Sequence, residues 1–166
     1  MDAKESSKIK RISRQQEKRA ANDIGGKTQA ASGATKFGGA DVRVQGKYRV
    51  ECKFTNKSSY ILKLTELEKL KKQANASLEY PIFQFCLRSH LGKLEKPYAV
   101  IPWVNSLDPS IEIKALSKQV SLSRDFLDTV EYGKPVKISF QHPPFRSYRL
   151  MPWDELVNNL QQESNA

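Results

Sequence analysis

Apolar and polar residues alternate over positions 41–54, DVRVQGKYRVECKF, on both sides of a turn that contains a glycine. Such alternation predicts a β-hairpin. A three-residue loop at positions 45–47 pairs Val42 with Val50, and a slip of one residue would turn the apolar side chains towards water. In this register one face is apolar and carries Val42, Val44, Tyr48, Val50 and Cys52. The other face carries Asp41, Arg43, Arg49, Glu51 and Lys53.

Helical spacing is found in the segment SRQQEKRAANDI, which precedes the hairpin. Ser13 and Gln16 have the form of a capping box that begins a helix, and the glycines at 25–26 end it. The side chains that share the inward face of this helix are Glu17, Ala20, Ala21 and Ile24. The pattern therefore predicts a carboxylate on the apolar side of the first helix.

Further helices and strands are predicted after the hairpin. Thr65 and Glu68 form a second capping-box pattern, which begins a helix through TELEKLKKQANA. Its inward side chains are Leu67, Leu70 and Ala74. Apolar runs at 81–87 and 97–103 each open with a proline, which suits the first residue of a strand. The remaining predicted elements are a short helix near Arg124–Val130, strands near Val136–Phe140 and Tyr148–Met151, and a last helix at Asp154–Leu160.

The order of these elements is typical of an α/β protein, with a small mixed β-sheet flanked by helices and with C-terminal additions. The 166 residues are enough for one domain with a hydrophobic core. We expect a basic N-terminal arm at residues 1–10, a core at 11–103, and a C-terminal extension at 104–166 packed on the same domain. Residues 25–40 contain five glycines and little that a core would bury, which predicts a flexible loop.

The charge of the chain points to a polyanionic partner. Twenty-eight Lys and Arg residues against eighteen Asp and Glu give a net charge of +10, which favours nucleic acid, although solubility alone is an alternative.

No apolar run approaches the roughly 20 residues that cross a bilayer, and no apolar segment of a secretory signal follows the basic N-terminus. The two cysteines lack CxxC spacing and lie in apolar stretches. We therefore expect an intracellular, cytoplasmic protein without a membrane partner.

The polar face of the hairpin carries candidate chemistry. Asp41 and Glu51 are neighbours across the predicted strands, and two adjacent carboxylates repel each other unless a cation lies between them. Oxygen ligands suit Mg²⁺, with Mn²⁺ as a substitute. Lys53 would orient or deprotonate the attacking water, or neutralise the transition state, and Glu17 would be a further metal ligand. The alternative is a solvated sheet face, on which charged residues alternate without catalysis.

The order of these residues resembles a known group of nucleases. Glu17, then SGATKFGGADV, then VECKF and the helix TELEKLKKQA look like the PD-(D/E)xK superfamily, and within it like the archaeal-type Holliday junction resolvases. The likeness covers roughly residues 10–103. The chain departs from the pattern at positions 39–41, Gly-Ala-Asp, where the usual proline before the aspartate is missing.

The resemblance implies a fold, an activity and a set of site residues. It implies a restriction-endonuclease-like core, with Mg²⁺-dependent hydrolysis of branched DNA by a homodimer, whose two sites suit two nicks across a junction. It implies catalytic roles for Glu17, Asp41, Glu51 and Lys53, with Ser32 as the loop serine. The alternatives are another nuclease of the superfamily (a nickase, a flap or a restriction-type enzyme) and a non-catalytic DNA-binding accessory protein of recombination.

Basic and polar residues near the predicted site are candidates for contact with DNA phosphates. They are Arg14, Lys18, Lys27, Ser32, Lys36, Arg43, Lys57, Lys71 and Lys72. For Arg14 and Lys18, a solvated helix face is an equally good interpretation. Arg43 shares the face of Asp41, so it either contacts DNA or balances the carboxylates.

Overall fold

The computed structural model describes residues 2–29, 41–89 and 93–166. Within these residues the chain forms four helices and ten strands. In the N-terminal part they are α1 (Ala3–Ile24), β1 (Lys27–Thr28), β2 (Val42–Val44), β3 (Tyr48–Thr55), β4 (Ser59–Lys63), α2 (Leu64–Ala76), β5 (Tyr80–Leu87) and β6 (Tyr98–Pro102). In the C-terminal part they are β7 (Ile111–Ala115), β8 (Gln119–Ser123), α3 (Arg124–Leu127), β9 (Val136–Phe140), β10 (Arg146–Pro152) and α4 (Trp153–Ser164).

The described strands form a mixed sheet of eight strands in the order β1-β2-β3-β5-β6-β10-β9-β7, and β4 and β8 form a separate pair. The neighbours β3–β5 and β7–β9 are parallel, whereas the other neighbours in this sheet are antiparallel. The α/β class and the mixed sheet are therefore confirmed. The sheet is larger than the small one predicted, because the C-terminal region contributes three of its strands.

Hydrophobic residues pack on both faces of the sheet. Alternate residues of β5 face opposite sides, so that Ile82 joins one core and Phe83 and Phe85 join the other. The first core lies against α1 and α4 and includes Ala20, Val50 and Trp153. The second core lies against α2, β4 and β8. Its members include Leu62, Leu67, Leu122, Ile138 and Leu150.

The predicted register of the β2–β3 hairpin is confirmed. Val42 pairs with Val50 and Val44 with Tyr48. Gly46 has a φ of +73°, which suits the tight loop. Val42 and Val50 are completely buried, so burial of the apolar face selects this register as expected.

The first helix begins much earlier than the sequence predicts. It starts at Ala3, and the Asp2 carboxylate caps it by accepting a 2.7 Å hydrogen bond from the backbone N of Glu5. Residues 3–10 are thus helical rather than a loose arm, and Ser13 and Gln16 lie inside the helix rather than at its start. Ile12 is buried on the same helix face as Gln16 and Ala20, so the inward face of α1 extends further towards the N-terminus than predicted.

The second helix lies where the sequence predicts it but lacks the predicted cap. It begins at Leu64, and its N-cap residue Lys63 makes no side-chain capping hydrogen bond. Its buried side chains include the three predicted ones, Leu67, Leu70 and Ala74.

The C-terminal residues are part of the main sheet. β10 lies between β6 and β9 and pairs with both, and α4 packs against α1. The predicted strands β9 and β10 and the helices α3 and α4 are confirmed within a few residues. Strands β1, β4, β7 and β8 are not among the predicted strands, although the sequences IEIKA of β7 and QVSLS of β8 alternate between apolar and polar residues as half-buried strands do.

Candidate active site

Asp41 is held against β3 at the open end of the hairpin. It comes immediately before β2, whose first residue Val42 pairs with Val50, and Val50 is followed by Glu51. The Oδ2 atom of Asp41 accepts a 2.7 Å hydrogen bond from the backbone N of Cys52. Asp41 is only 8% exposed, so this bond fixes its carboxylate beside the peptide that joins Glu51 to Cys52.

Lys53 forms an ion pair with Glu51 on the same face of β3. The Lys53 Nζ atom lies 3.1 Å from Oε1 of Glu51. Burial raises the pKa of Glu51 and the charge of Asp41 raises it further, whereas Lys53 lowers it only in part. Burial alone would lower the pKa of Lys53, but the carboxylates of Glu51 and Asp41 outweigh burial and raise it. Lys53 is therefore held as an ammonium group in the metal-free protein.

Helix α1 brings Glu17 to the same place. Its Oε1 atom accepts a 3.2 Å hydrogen bond from the Oγ atom of Ser13, one helical turn earlier. Burial raises the pKa of Glu17, and the charges of Asp41 and Glu51 raise it further against the opposing effects of Ser13 and Arg14. The three carboxylates thus lie near enough to repel one another.

A groove with a volume of about 440 Å³ runs between α1 and β3. The polar side chains at its wall include Ser13, Glu17, Asp41, Lys53 and Asn56. Glu51 contacts this group through its ion pair with Lys53. Three of the four residues predicted to be catalytic, Glu17, Asp41 and Lys53, therefore line one open groove, and the fourth, Glu51, is joined to them by its ion pair with Lys53.

The carboxylates at the groove are chemically suited to bind a divalent cation. In the described part of the chain, no three side chains of His, Cys, Asp or Glu form a ready-made metal site. One oxygen of Asp41 and one of Glu51 are engaged by protein donors. The donors at the groove are nevertheless hard carboxylate oxygens, as Mg²⁺ and Mn²⁺ prefer. A cation would also relieve the repulsion that raises the pKa values of Glu17 and Glu51.

The predicted DNA-contacting residues lie on several elements. Those with exposed side chains are Arg14, Lys18, Lys27, Lys57 and Lys72. Arg14 and Lys18 lie on the same helix as Glu17, and Lys57 follows β3 closely. Lys71 is half-buried on α2. Ser32 and Lys36 lie outside the described residues.

Arg43 pairs with a carboxylate that the sequence does not single out. Its Nε and Nη2 atoms donate to both oxygens of Glu79 at 2.5 to 3.2 Å, and the Nε atom of Arg49 donates to Oε2 of Glu79 at 3.1 Å. Burial alone would raise the pKa of Glu79, but these hydrogen bonds and that from Gly46 N outweigh it and lower the pKa. Arg43 therefore balances Glu79 rather than the site carboxylates Asp41 and Glu51 that the sequence suggested, and its contact with DNA stays a prediction.

Two charged residues of α2 shift pKa values at the site, and neither is among the predicted site residues. Lys69 lowers the pKa of Glu51, and Glu66 raises that of Lys53. Glu66 and Lys69 are three positions apart and therefore lie on the same face of α2. They place one positive and one negative charge beside the Glu51–Lys53 ion pair.

Gln16 is a further residue at the site that the sequence does not identify. It is 4% exposed, and its Nε2 atom donates to the backbone O of Lys53 at 2.9 Å and to Oε1 of Gln84 at 3.0 Å. Its position four residues after Ile12 and four before Ala20 is the signal that marks it as inward. The capping-box interpretation hides this signal, because it places Gln16 at the start of the helix.

Comparisons of the chain with protein-family models, with curated proteins and with solved structures found no match. Among the helices described in residues 2–29, 41–89 and 93–166, none is long and apolar enough to span a bilayer. The functional conclusion therefore rests on the arrangement of the site residues.

Proposed function

We propose that this chain is a Mg²⁺-dependent DNA endonuclease that hydrolyses phosphodiester bonds in branched DNA, with the Holliday junction as its preferred substrate and Mn²⁺ as a substitute metal. The observation that carries the proposal is the hydrogen bond from the Cys52 backbone to Asp41, which holds this carboxylate beside Glu51 and Lys53. The likeness of the motif to the PD-(D/E)xK superfamily supports the same activity and a restriction-endonuclease-like core.

Asp41, Glu51 and Glu17 are the residues that would hold the metal. When bound, Mg²⁺ supplies a clamp for a phosphate oxygen and lowers the pKa of a coordinated water. The protein contributes oxygen ligands from two sides of the groove, with Asp41 and Glu51 from the hairpin and Glu17 from α1. The hydrogen bond from Ser13 orients the Glu17 carboxylate.

Lys53 serves the reaction by its positive charge. Burial alone would lower the pKa of Lys53, but Glu51 and Asp41 outweigh burial and raise it, which favours the ammonium form. Its ammonium group neutralises the negative charge that develops on the phosphate in the transition state. The ion pair with Glu51 fixes the position of this charge.

The basic surface would bind the DNA, and two copies of the chain would act together. Exposed side chains such as Arg14, Lys18 and Lys57 are free to contact phosphates near the groove. A homodimer would present two equivalent sites, as paired nicks across a four-way junction require. Such an enzyme would act on DNA in the cytoplasm of a bacterial, archaeal or virus-infected host cell.

The test is cleavage of end-labelled four-way junction, flap, duplex and single-stranded DNA in the presence of Mg²⁺. The wild-type protein is compared with Glu51→Gln and with an EDTA control. Paired cuts confined to the junction, absent from the variant and from EDTA, are expected.

Other outcomes of this experiment correct the proposal at different levels. Equal cleavage of all four substrates would retain the nuclease and remove the preference for junctions. Binding of DNA without cleavage in either Mg²⁺ or Mn²⁺ would refute the enzyme and indicate a DNA-binding accessory protein.

A further inference from the structure

The buried amide of Gln16 links the helix of Glu17 to the strand of Lys53. Gln16 immediately precedes Glu17 on α1, and its Nε2 atom donates to the backbone O of Lys53 at 2.9 Å. The second hydrogen of the same amide goes to Oε1 of Gln84 on β5, at 3.0 Å. Gln84 lies beside Cys52 in the parallel β3–β5 register, so the amide is held by two adjacent strands.

Stability alone does not explain an amide at this position. The Oε1 atom of Gln16 is buried without a hydrogen-bond partner among the described residues, and such an unsatisfied acceptor costs free energy. The neighbouring inward residues Ile12 and Ala20 are apolar, and an apolar side chain of similar length would avoid the cost. What the amide adds is its pair of hydrogen bonds to Gln84 and to the carbonyl of Lys53, and only the second of these reaches a residue of the proposed site.

Two further side-chain contacts tether α1 in the described residues, and they lie towards its two ends. In the first turn, Oε1 of Glu5 lies 3.6 Å from Nη2 of Arg88. The Nε1 atom of Trp153 donates to Oδ2 of Asp23 at 2.8 Å, near the C-terminal end of the helix. That bond fixes α1 to the start of α4 but leaves the distance between Glu17 and Lys53 to be set elsewhere. Gln16 lies one residue from Glu17 and bonds to Lys53 itself, so it sets this distance directly.

We infer that Gln16 is a positioning residue, which holds Glu17 and Lys53 at the separation that hydrolysis requires. The inference rests on the proposed endonuclease activity. It predicts that loss of the amide slows the chemical step and leaves the binding of DNA almost unchanged, because Gln16 is buried and has no exposed group to offer a phosphate.

The test compares Gln16→Met with Gln84→Met as a matched control. Both variants replace a buried amide by an apolar side chain of similar length and break the bond between the two glutamines. Only Gln16→Met also breaks the bond to Lys53. Single-turnover cleavage of a four-way junction with saturating Mg²⁺ and protein gives the rate, and fluorescence anisotropy in EDTA gives the Kd.

We expect Gln16→Met to lower the single-turnover rate by about tenfold or more, since small displacements of reacting groups have effects of this size. The Kd for DNA should stay within about twofold, and Gln84→Met should keep a near-wild-type rate although its melting temperature falls by a similar amount. If Gln16→Met does not fold, Gln16→Leu gives the same comparison.

Equal rates for the wild type and Gln16→Met, or equal losses in the two methionine variants, would overturn the positioning role. A rise in Kd that accounts for the whole loss would also overturn it. Failure of the wild-type protein to cleave any substrate is a separate result, because it would refute the proposed function itself.

Discussion

Buried and half-buried carboxylates occur in two electrostatic settings among the described residues. Glu79 accepts hydrogen bonds from Arg43, Arg49 and the Gly46 backbone, which lower its pKa against the effect of burial. Glu17 and Glu51 are affected in the opposite direction, because burial and the nearby Asp41 raise their pKa values. The first setting stabilises the fold, whereas the second is unfavourable without a cation and is typical of functional sites.

The raised pKa values predict how the stability of the metal-free protein depends on pH. The folded state holds the protons of Glu17 and Glu51 more tightly than the unfolded state, whose value is near 4.5. Stability should therefore fall as the pH rises from 4.5 through the raised values. The stability of the double variant Glu17→Gln/Glu51→Gln should not decrease in this way as the pH rises. At pH 7 in EDTA this variant should melt at a higher temperature than the wild type.

Thermal melting in EDTA between about pH 4.5 and 8 measures this effect, over the range in which carboxyls with raised pKa values titrate. Glu112→Gln is the control, because Glu112 lies exposed on β7, at the opposite edge of the sheet from the hairpin. An identical pH dependence in the wild type and the double variant would show that the carboxylates do not repel one another in the fold.

Glu79→Gln should show the contrasting behaviour. The Glu79 side chain is fully buried between Arg43 and Arg49, so Glu79→Gln removes the negative charge that both guanidinium groups contact. We expect a loss of about 3 kcal/mol in the free energy of unfolding at pH 7, measured by urea denaturation. In the wild type this contribution is present at neutral pH and is lost as the pH falls through the lowered pKa of Glu79.

Glu131→Gln is the control for this prediction, because Glu131 forms an exposed ion pair with Lys134. Exposed pairs contribute little, so this variant should be nearly as stable as the wild type. A similar small change in Glu79→Gln would contradict the structural role of the buried cluster.

At the level of elements, the hairpin was the most predictable part of the site. Its alternation admits a single register that buries Val42 and Val50, and this register brings Asp41 to β3. Asp2 and Glu5 have the spacing of a capping box and mark the start of α1, but residues 3–10 are mostly polar, so the apolar pattern of the helix does not reach this start. The ion pairs of Glu79 also escape prediction, since they join residues 36 and 30 positions apart.

Strand β10 makes the N-terminal part of the fold depend on the C-terminal part. It pairs with β6 along five residues, and its Leu150 and Met151 are buried in the two cores. A chain that ends at residue 103 would lose these contacts and expose the edge of β6. We expect it to show no cooperative thermal unfolding by circular dichroism.

A chain that ends at residue 160 is the matched control for this truncation, because residues 161–166 are exposed. It should unfold cooperatively, with a melting temperature near that of the full chain. Cooperative unfolding of the chain that ends at residue 103 would mean that its sheet is stable without β10.

At the scale of the whole molecule, basic side chains lie on the surface, whereas the acidic side chains of the site are more buried. The net charge is +10, and basic residues are exposed on α1 and after β3, whereas the acidic groups of the site are partly or largely buried. The exposed charge would attract DNA over a distance of about one Debye length, ~10 Å at moderate salt. The site carboxylates would repel a phosphate unless a cation were bound.

The salt dependence of DNA binding tests whether the exposed basic residues contact DNA phosphates. Lys57→Gln/Lys72→Gln should weaken binding and reduce the slope of log K against log salt by about 2, since each phosphate contact contributes about 0.9. Fluorescence anisotropy in EDTA measures the slope. Lys118→Gln/Lys134→Gln removes the same charge from exposed positions outside the predicted set, and an equal reduction in this variant would contradict a specific DNA-binding surface.

The most direct test of the central claim is the single-turnover rate at which Asp41→Asn cleaves a four-way junction in Mg²⁺. Asparagine keeps an oxygen that can accept the hydrogen bond from Cys52 but removes the charge that a metal requires. We predict a loss of about 100-fold or more relative to the wild type, with Glu112→Gln unchanged. Cleavage by Asp41→Asn at the wild-type rate, or undiminished cleavage by the wild type in EDTA, would contradict a metal site built on Asp41 and Glu51.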